Sequence, residues 1–141
     1  MKKIRILLVE DSPGDAELIR DVLEETKRMH VEMTTVVDGE DAVDYLLQRG
    51  IYHGVDRPDL VVLDLNIPKM NGRDVLAIVK QHDHLGAIPI VVLTTSDTER
   101  DVDQSYALGV NCYVTKPIEV KAFQSQVHSI ENFWLNVAKL P

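Results

Sequence analysis

Four short runs dominated by apolar residues mark the chain: Ile6-Leu7-Leu8-Val9, Leu60-Val61-Val62-Leu63, Ile90-Val91-Val92-Leu93 and Val110-Asn111-Cys112-Tyr113-Val114-Thr115. Runs of this length, rich in Val and Leu, read as strands buried on both faces of a sheet. An imperfectly alternating stretch, Val31 to Val37, predicts one more. The pattern therefore predicts strands at Ile4 to Val9, Val31 to Val37, Asp59 to Asp64, Ile88 to Leu93 and Val110 to Thr115.

Between these runs the apolar period changes to three and four. Leu18, Ile19, Val22 and Leu23 form one helical stripe. Ala42, Val43, Leu46 and Leu47 form a second, and Val75, Leu76 and Val79 a third. Ser12 suits the N-cap of the first helix, with Pro13 at its first position and Asp15 in its positive first turn. Asp38-Gly39 reads as a turn, 50–58 as a loop, and Asn71 as a cap. Ser96-Asp97-Thr98-Glu99 has the spacing of a capping box before a fourth helix. A last helix is expected from Glu119 to Ala138. Val120, Phe123, Val127, Ile130, Trp134 and Val137 lie on its expected core face, and Phe133 beside it.

Five strands alternating with five helices predict an α/β fold: a doubly wound parallel sheet, covered on both faces, with right-handed crossovers. The 141 residues suit one domain spanning 1–141, and no linker, repeat or low-complexity tract divides them. A net charge of -8 argues against nucleic acid as a partner. No apolar run reaches the roughly 20 residues of a membrane helix. The first apolar run is too short for a signal peptide and is followed by Glu10 and Asp11, so a cytoplasmic protein is expected. The single cysteine, Cys112, agrees and reads as a buried structural thiol.

Chemistry gathers at the predicted strand ends. Glu10-Asp11 closes the first strand and Asp64 the third, Thr94 closes the fourth, and Lys116 follows the fifth. Open α/β sheets bind ligands at the C-terminal ends of their strands. Three acids crowded together raise each other's pKa, and a divalent cation relieves that repulsion. Magnesium suits such an oxygen-only set. An amine and a hydroxyl alongside suit the oxygens of a phosphoryl group. His30, His53, His82, His84 and His128 show no ligand constellation; His82 and His84 are expected on different sides of any helix.

This ordered set resembles the receiver domain of two-component response regulators, including the stand-alone chemotaxis type. Glu10-Asp11, Asp64 with Pro68 and Gly72 following, Thr94, Tyr113 and Lys116-Pro117 carry the likeness, which covers nearly the whole chain. The resemblance implies a flavodoxin-like (βα)5 fold with strand order 2-1-3-4-5. It implies that Asp64 accepts a phosphoryl group from a histidine kinase, and that Asp11, Asp64 and the main-chain carbonyl of Asn66 hold Mg2+, with Glu10 acting mainly through water. Thr94 and Lys116 then face the phosphoryl oxygens, Thr94 and Tyr113 form the switch, and the Lys116–Pro117 peptide is cis. Asn66, Thr95 and Ser96 are expected to influence dephosphorylation.

A finer likeness is to the small receivers that serve bacterial and cyanobacterial phytochrome kinases. Arg57-Pro58-Asp59-Leu60, Val110-Asn111-Cys112-Tyr113, Ile130-Glu131-Asn132-Phe133-Trp134 and the ending Leu140-Pro141 carry it. It implies a phytochrome-type kinase as input and a homodimer through the fourth helix, fifth strand and fifth helix. An intermediate phosphorelay receiver or a chemotaxis-type motility regulator with another kinase is the alternative. The resemblance implies a phosphoacceptor switch rather than an enzyme, acting on a downstream protein without an output domain. A phosphatase of the haloacid dehalogenase class would want a second Asp where Asn66 stands. A flavodoxin-like cofactor site would be repelled by Glu10-Asp11.

Overall fold

The computed structural model describes residues 2–141. Five parallel strands, β1 (Lys2–Val9), β2 (Met29–Val36), β3 (Leu60–Leu63), β4 (Ile90–Thr94) and β5 (Cys112–Thr115), lie in the order β2-β1-β3-β4-β5. Five α-helices alternate with them: α1 (Pro13–Glu24), α2 (Gly39–Leu46), α3 (Gly72–Lys80), α4 (Glu99–Ala107) and α5 (Val120–Glu131). The expected doubly wound architecture and strand order are those observed.

Successive residues of a strand face opposite sides of a sheet, and the core divides accordingly. Leu7, Val9, Val61, Leu63 and Val92 pack with α2 and α3 on one face. Ile6, Leu8, Leu60, Val62 and Leu93 pack with α1 and α5 on the other. Every residue of β3 and β4 is buried, which is why these strands read as unbroken apolar runs.

Strand limits differ from expectation for identifiable reasons. Pro89 has no N–H to give a ladder, and Ile88 donates instead to the Leu85 carbonyl at 3.1 Å, so β4 starts at Ile90. Asn111 precedes β5 but binds Ile90 twice: its N–H donates to the Ile90 carbonyl and its Oδ1 accepts from the Ile90 N–H, both at 3.0 Å. Gly50–Tyr52, expected as loop, forms a single 3-10 turn.

The caps follow the chemistry of short polar side chains. Ser12 accepts from the Asp15 N–H at 3.4 Å, and Asn71 from the Asp74 N–H at 3.0 Å. Asp38 is a cap rather than a turn residue: it accepts from the Asp41 N–H at 2.8 Å, and α2 begins at Gly39. At α4 the cap is Thr98, which accepts from the Asp101 N–H at 3.2 Å. The expected box therefore lies two residues too early, because the Ser96 hydroxyl donates to the Asp101 carboxylate instead.

The last helix changes pitch. After Glu131 the chain continues as a π-helix over Asn132–Val137. A π turn closes at i+5 instead of i+4. The buried residue after Ile130 is consequently Leu135, whereas Trp134 is half-buried. Val120 and Val137, expected in the core, are 67% and 64% exposed. Phe133 lies outside the core as expected, edge-on to Trp134 with ring centroids 5.2 Å apart.

Candidate functional site

The sheet carries its chemistry at the C-terminal ends of β1, β3, β4 and β5. The ladders run one residue past the strands there. The Asp64 N–H donates to the Val9 carbonyl at 3.0 Å and the Lys116 N–H to the Thr94 carbonyl at 2.7 Å. Glu10 is tied by its N–H to the Val36 carbonyl at 3.0 Å. Backbone pairing thus fixes where these side chains start.

The Asp64 carboxylate is held at both oxygens. The Thr94 hydroxyl and the Asn66 N–H donate to Oδ1 at 2.7 and 3.0 Å. The Lys116 ammonium donates to Oδ2 at 2.9 Å. Lys116 also reaches Glu10 at 2.6 Å and Asp15 at 2.9 Å, and it lies 5.9 Å from the centre of the Phe123 ring. Glu10, Asp64, Thr94 and Lys116 are buried, while Asp11 is exposed. Oxygens of Glu10, Asp11 and Asp64 lie within 4.8 Å of one another. A set of carboxylates that close fits a hard divalent cation.

Burial alone would lower the pKa of Lys116. Its hydrogen bonds to Glu10, Asp64 and Asp15 reverse that and hold it above the ordinary lysine range. Burial, joined by the charge of Asp64, pushes the Glu10 carboxyl up to about 7 against the pull of Lys116. A carboxyl whose native pKa lies above its unfolded value holds its proton more tightly when folded. The contribution to stability is then full below the ordinary value of 4.5 and lost as pH rises through about 7. The metal-free protein is expected to lose stability across this window, and Glu10→Gln to flatten the loss. Urea midpoints at the two ends of the window check this, and parallel curves for both proteins would refute it.

Tyr113 donates its hydroxyl to the Ser96 carbonyl at 2.7 Å, and its N–H to the Tyr106 hydroxyl at 3.2 Å. The ring is half-buried behind the β4–α4 loop. Asn66 is exposed, with its amide nitrogen 3.4 Å from the Thr95 hydroxyl. All the residues singled out at strand ends thus meet in one place. The Lys116–Pro117 peptide is a correction: no cis bond occurs among the described residues, and Lys116 reaches its three carboxylates through a trans bond.

Sequence reasoning missed Asp15, read above only as a first-turn acid. It is half-buried and faces Lys116 across the sheet end. Spacing along α1 shows which residues share a face, but not that this face looks onto the end of β5. Cys112 is half-buried, and burial pushes its thiol pKa up, in keeping with an inert thiol. Among the described residues no histidine joins the carboxylate cluster. His82 and His84 nevertheless stack edge-on with centroids 5.6 Å apart, because a 3-10 turn at Asp83–Leu85 brings them together.

Comparison with known proteins agrees with this geometry. Residues 6–128 match the family model of the response regulator receiver domain. Response regulator Rcp1 of Synechocystis sp. is 48% identical over 136 residues, covering 96% of this chain and 92% of Rcp1. The crystal structure of the Mn(2+)-bound form of Rcp1 superposes with a TM-score of 0.95 at 47% identity, over 98% of this chain and 99% of that one. The phosphorylated cyanobacterial phytochrome response regulator RcpA gives a TM-score of 0.94 at 47% identity, over 99% of each chain.

Proposed function

Because the chain belongs to the response regulator receiver family, we propose that it receives a phosphoryl group on Asp64 and changes partner binding as a result. The observation that carries this reading is the carboxylate of Asp64, fixed at Oδ1 by Thr94 and at Oδ2 by Lys116. Phosphoryl transfer rests on positioning and charge neutralisation rather than on acid–base chemistry. An Asp64 oxygen attacks the phosphorus of a phosphohistidine. The P–O bond of an acyl phosphate forms, the P–N bond breaks, and the imidazole leaves with its electron pair. Lys116 and Thr94 then have the phosphoryl oxygens to bind in place of the free carboxylate.

Glu10, Asp11, Asp64 and the Asn66 carbonyl are the proposed holders of Mg2+, with Glu10 acting mainly through water. The cluster of carboxylate oxygens supports that assignment. A bound Mg2+ would neutralise charge on the phosphoryl group. Incubation with acetyl phosphate and magnesium should add the mass of one phosphoryl group in a linkage labile to both acid and alkali, as an acyl phosphate requires. An unchanged mass, or an alkali-stable adduct, would count against the reading.

The input we propose is a phytochrome-type histidine kinase, supported by the identity with Rcp1 and RcpA. The phosphorelay and motility alternatives have no comparable support. The protein then acts as a cytoplasmic switch rather than an enzyme turning over a separate substrate, and its output is contact with a downstream protein. No described helix is long and apolar enough to cross a membrane.

The homodimer through α4, β5 and α5 is part of the same proposal. Exposed Tyr106, Ile118, Val120 and Phe133 on or beside these elements support it. A two-fold axis would let one patch serve both copies. Sedimentation should show a dimer that Phe133→Ser weakens. A wild type monomeric at high micromolar concentration, phosphorylated or not, would remove the dimer.

A further inference from the structure

α4 has the weakest apolar hold of the helices around the site. Its buried residues are Asp101 and Ser105, both polar. The Ser105 hydroxyl has no hydrogen-bond partner among the described residues. A helix that buries none of its own apolar side chains gains little from the hydrophobic effect. Its first turn is tied down by Asp101 instead. Arg73, on α3, donates from Nε to Oδ1 and from Nη2 to Oδ2, each at 2.6 Å. This is the two-pronged geometry that a guanidinium makes with a carboxylate and an ammonium cannot. Ser96 donates its hydroxyl to Oδ2 as well.

Ser96 is a junction. Its hydroxyl goes to Asp101, its N–H lies 3.4 Å from the Thr94 hydroxyl, and its carbonyl accepts from Tyr113 at 2.7 Å. Thr94 in turn donates to Asp64. Arg73 directly follows Gly72, whose N–H donates to the Leu65 carbonyl at 2.9 Å. A Cβ at Gly72 would meet the Asp64 carbonyl oxygen at 2.7 Å, so the start of α3 is pressed against the Asp64 segment. The contacts close a ring: Asp64, Thr94, Ser96, Asp101, Arg73, and back through Gly72 to Asp64.

We propose that Arg73 and Asp101 form a clamp that fixes Ser96 and thereby sets how firmly Tyr113 is held inward. They are positioning residues for the switch. The clamp rests on the reading of Asp64 as acceptor only in one respect, that phosphorylation acts on the same loop through Thr94. With the clamp open, Ser96 loses the partner of its hydroxyl, and its carbonyl is free to leave Tyr113. Ordering the loop then falls to the Thr94 contact. Phosphorylation should accordingly move Tyr113 more in clamp variants than in the wild type.

The test is fluorine NMR of protein carrying 3-fluorotyrosine, with the Tyr113 signal assigned by Tyr113→Phe. Wild type, Arg73→Met, Asp101→Asn and Arg73→Lys are compared with and without beryllofluoride and magnesium. In Arg73→Met and Asp101→Asn the inward-to-outward ratio of Tyr113 should fall about tenfold or more, as loss of a charged hydrogen-bond partner implies. Arg73→Lys should fall between them and the wild type, since it keeps the charge without the fork. Ser96→Ala, which leaves the ion pair intact, should move the ratio in the same direction if either clamp variant fails to fold. Beryllofluoride should return all variants toward the inward signal. Lower melting temperatures with a Tyr113 signal unchanged from wild type would make the clamp a brace and overturn the proposal. Clamp variants in which Tyr113 moves outward but does not respond to beryllofluoride would instead refute Asp64 as acceptor and leave the clamp standing.

Discussion

Asp64→Asn should yield a folded protein that takes no phosphoryl label from acetyl phosphate or from a histidine kinase. The amide has nearly the shape of the carboxylate, so its oxygen still accepts from Thr94 and the Asn66 N–H. It cannot form an acyl phosphate, because the amide oxygen carries no full charge and the nitrogen lone pair is delocalised. Stability should change little, for two opposed reasons. Lys116 loses one anionic partner but keeps Glu10 and Asp15. The cluster of Glu10, Asp11 and Asp64 loses one of its mutually repelling charges. These terms are each of order 1–2 kcal/mol and of opposite sign. Labelling, intact mass and a urea melt on the same preparation read both halves. A variant that labels like the wild type would move the acceptor elsewhere, and an unfolded variant would contradict the balance of charges.

The fold was legible where periodicity is strong. β3 and β4 are buried on both faces, so nothing polar interrupts them, and the acids that end strands stand out against the apolar runs. Asp64, Thr94 and Lys116 could be found because a parallel sheet delivers its C-terminal ends to one edge. What stayed hidden depends on contacts between segments. Arg73 and Asp101 are 28 residues apart on different helices, and each alone reads as a solvated surface charge. The end of α5 was misread because helical phase assumes an unbroken i+4 ladder. The turn from Ile130 to Leu135 breaks that phase and turns Val137 outward. Nor does the pair Asp38-Gly39 disclose that its glycine starts a helix under the loop that follows Asp64.

That hidden packing carries the largest stability effect expected here. A Cβ at Gly39 would lie 1.8 Å from the Met70 carbonyl oxygen and 2.6 Å from its carbon, both backbone atoms that no rotamer change can move. Retreat of the loop is resisted too. The Gly39 N–H donates to the Pro68 carbonyl at 3.2 Å, and the Met70 N–H returns to the same carbonyl at 2.8 Å. Lys69 between them has a left-handed φ of 66°, an uncommon conformation for a non-glycine residue in a tight three-residue turn. Gly39→Ala should therefore cost about 3 kcal/mol or more, at or above the upper end for overpacking. Because the displaced loop leads back through buried Ile67 and Leu65 to Asp64, any folded fraction should also accept phosphate more slowly. Gly14→Ala is the control. It adds the same methyl where no other described residue lies within 4 Å, and should be neutral or gain up to about 1 kcal/mol of helix propensity. Urea midpoints of the two variants should fall on opposite sides of the wild type, or Gly14→Ala should coincide with it. A Gly39→Ala protein with the wild-type midpoint would mean that the β3–α3 loop yields freely and does not fix Asp64.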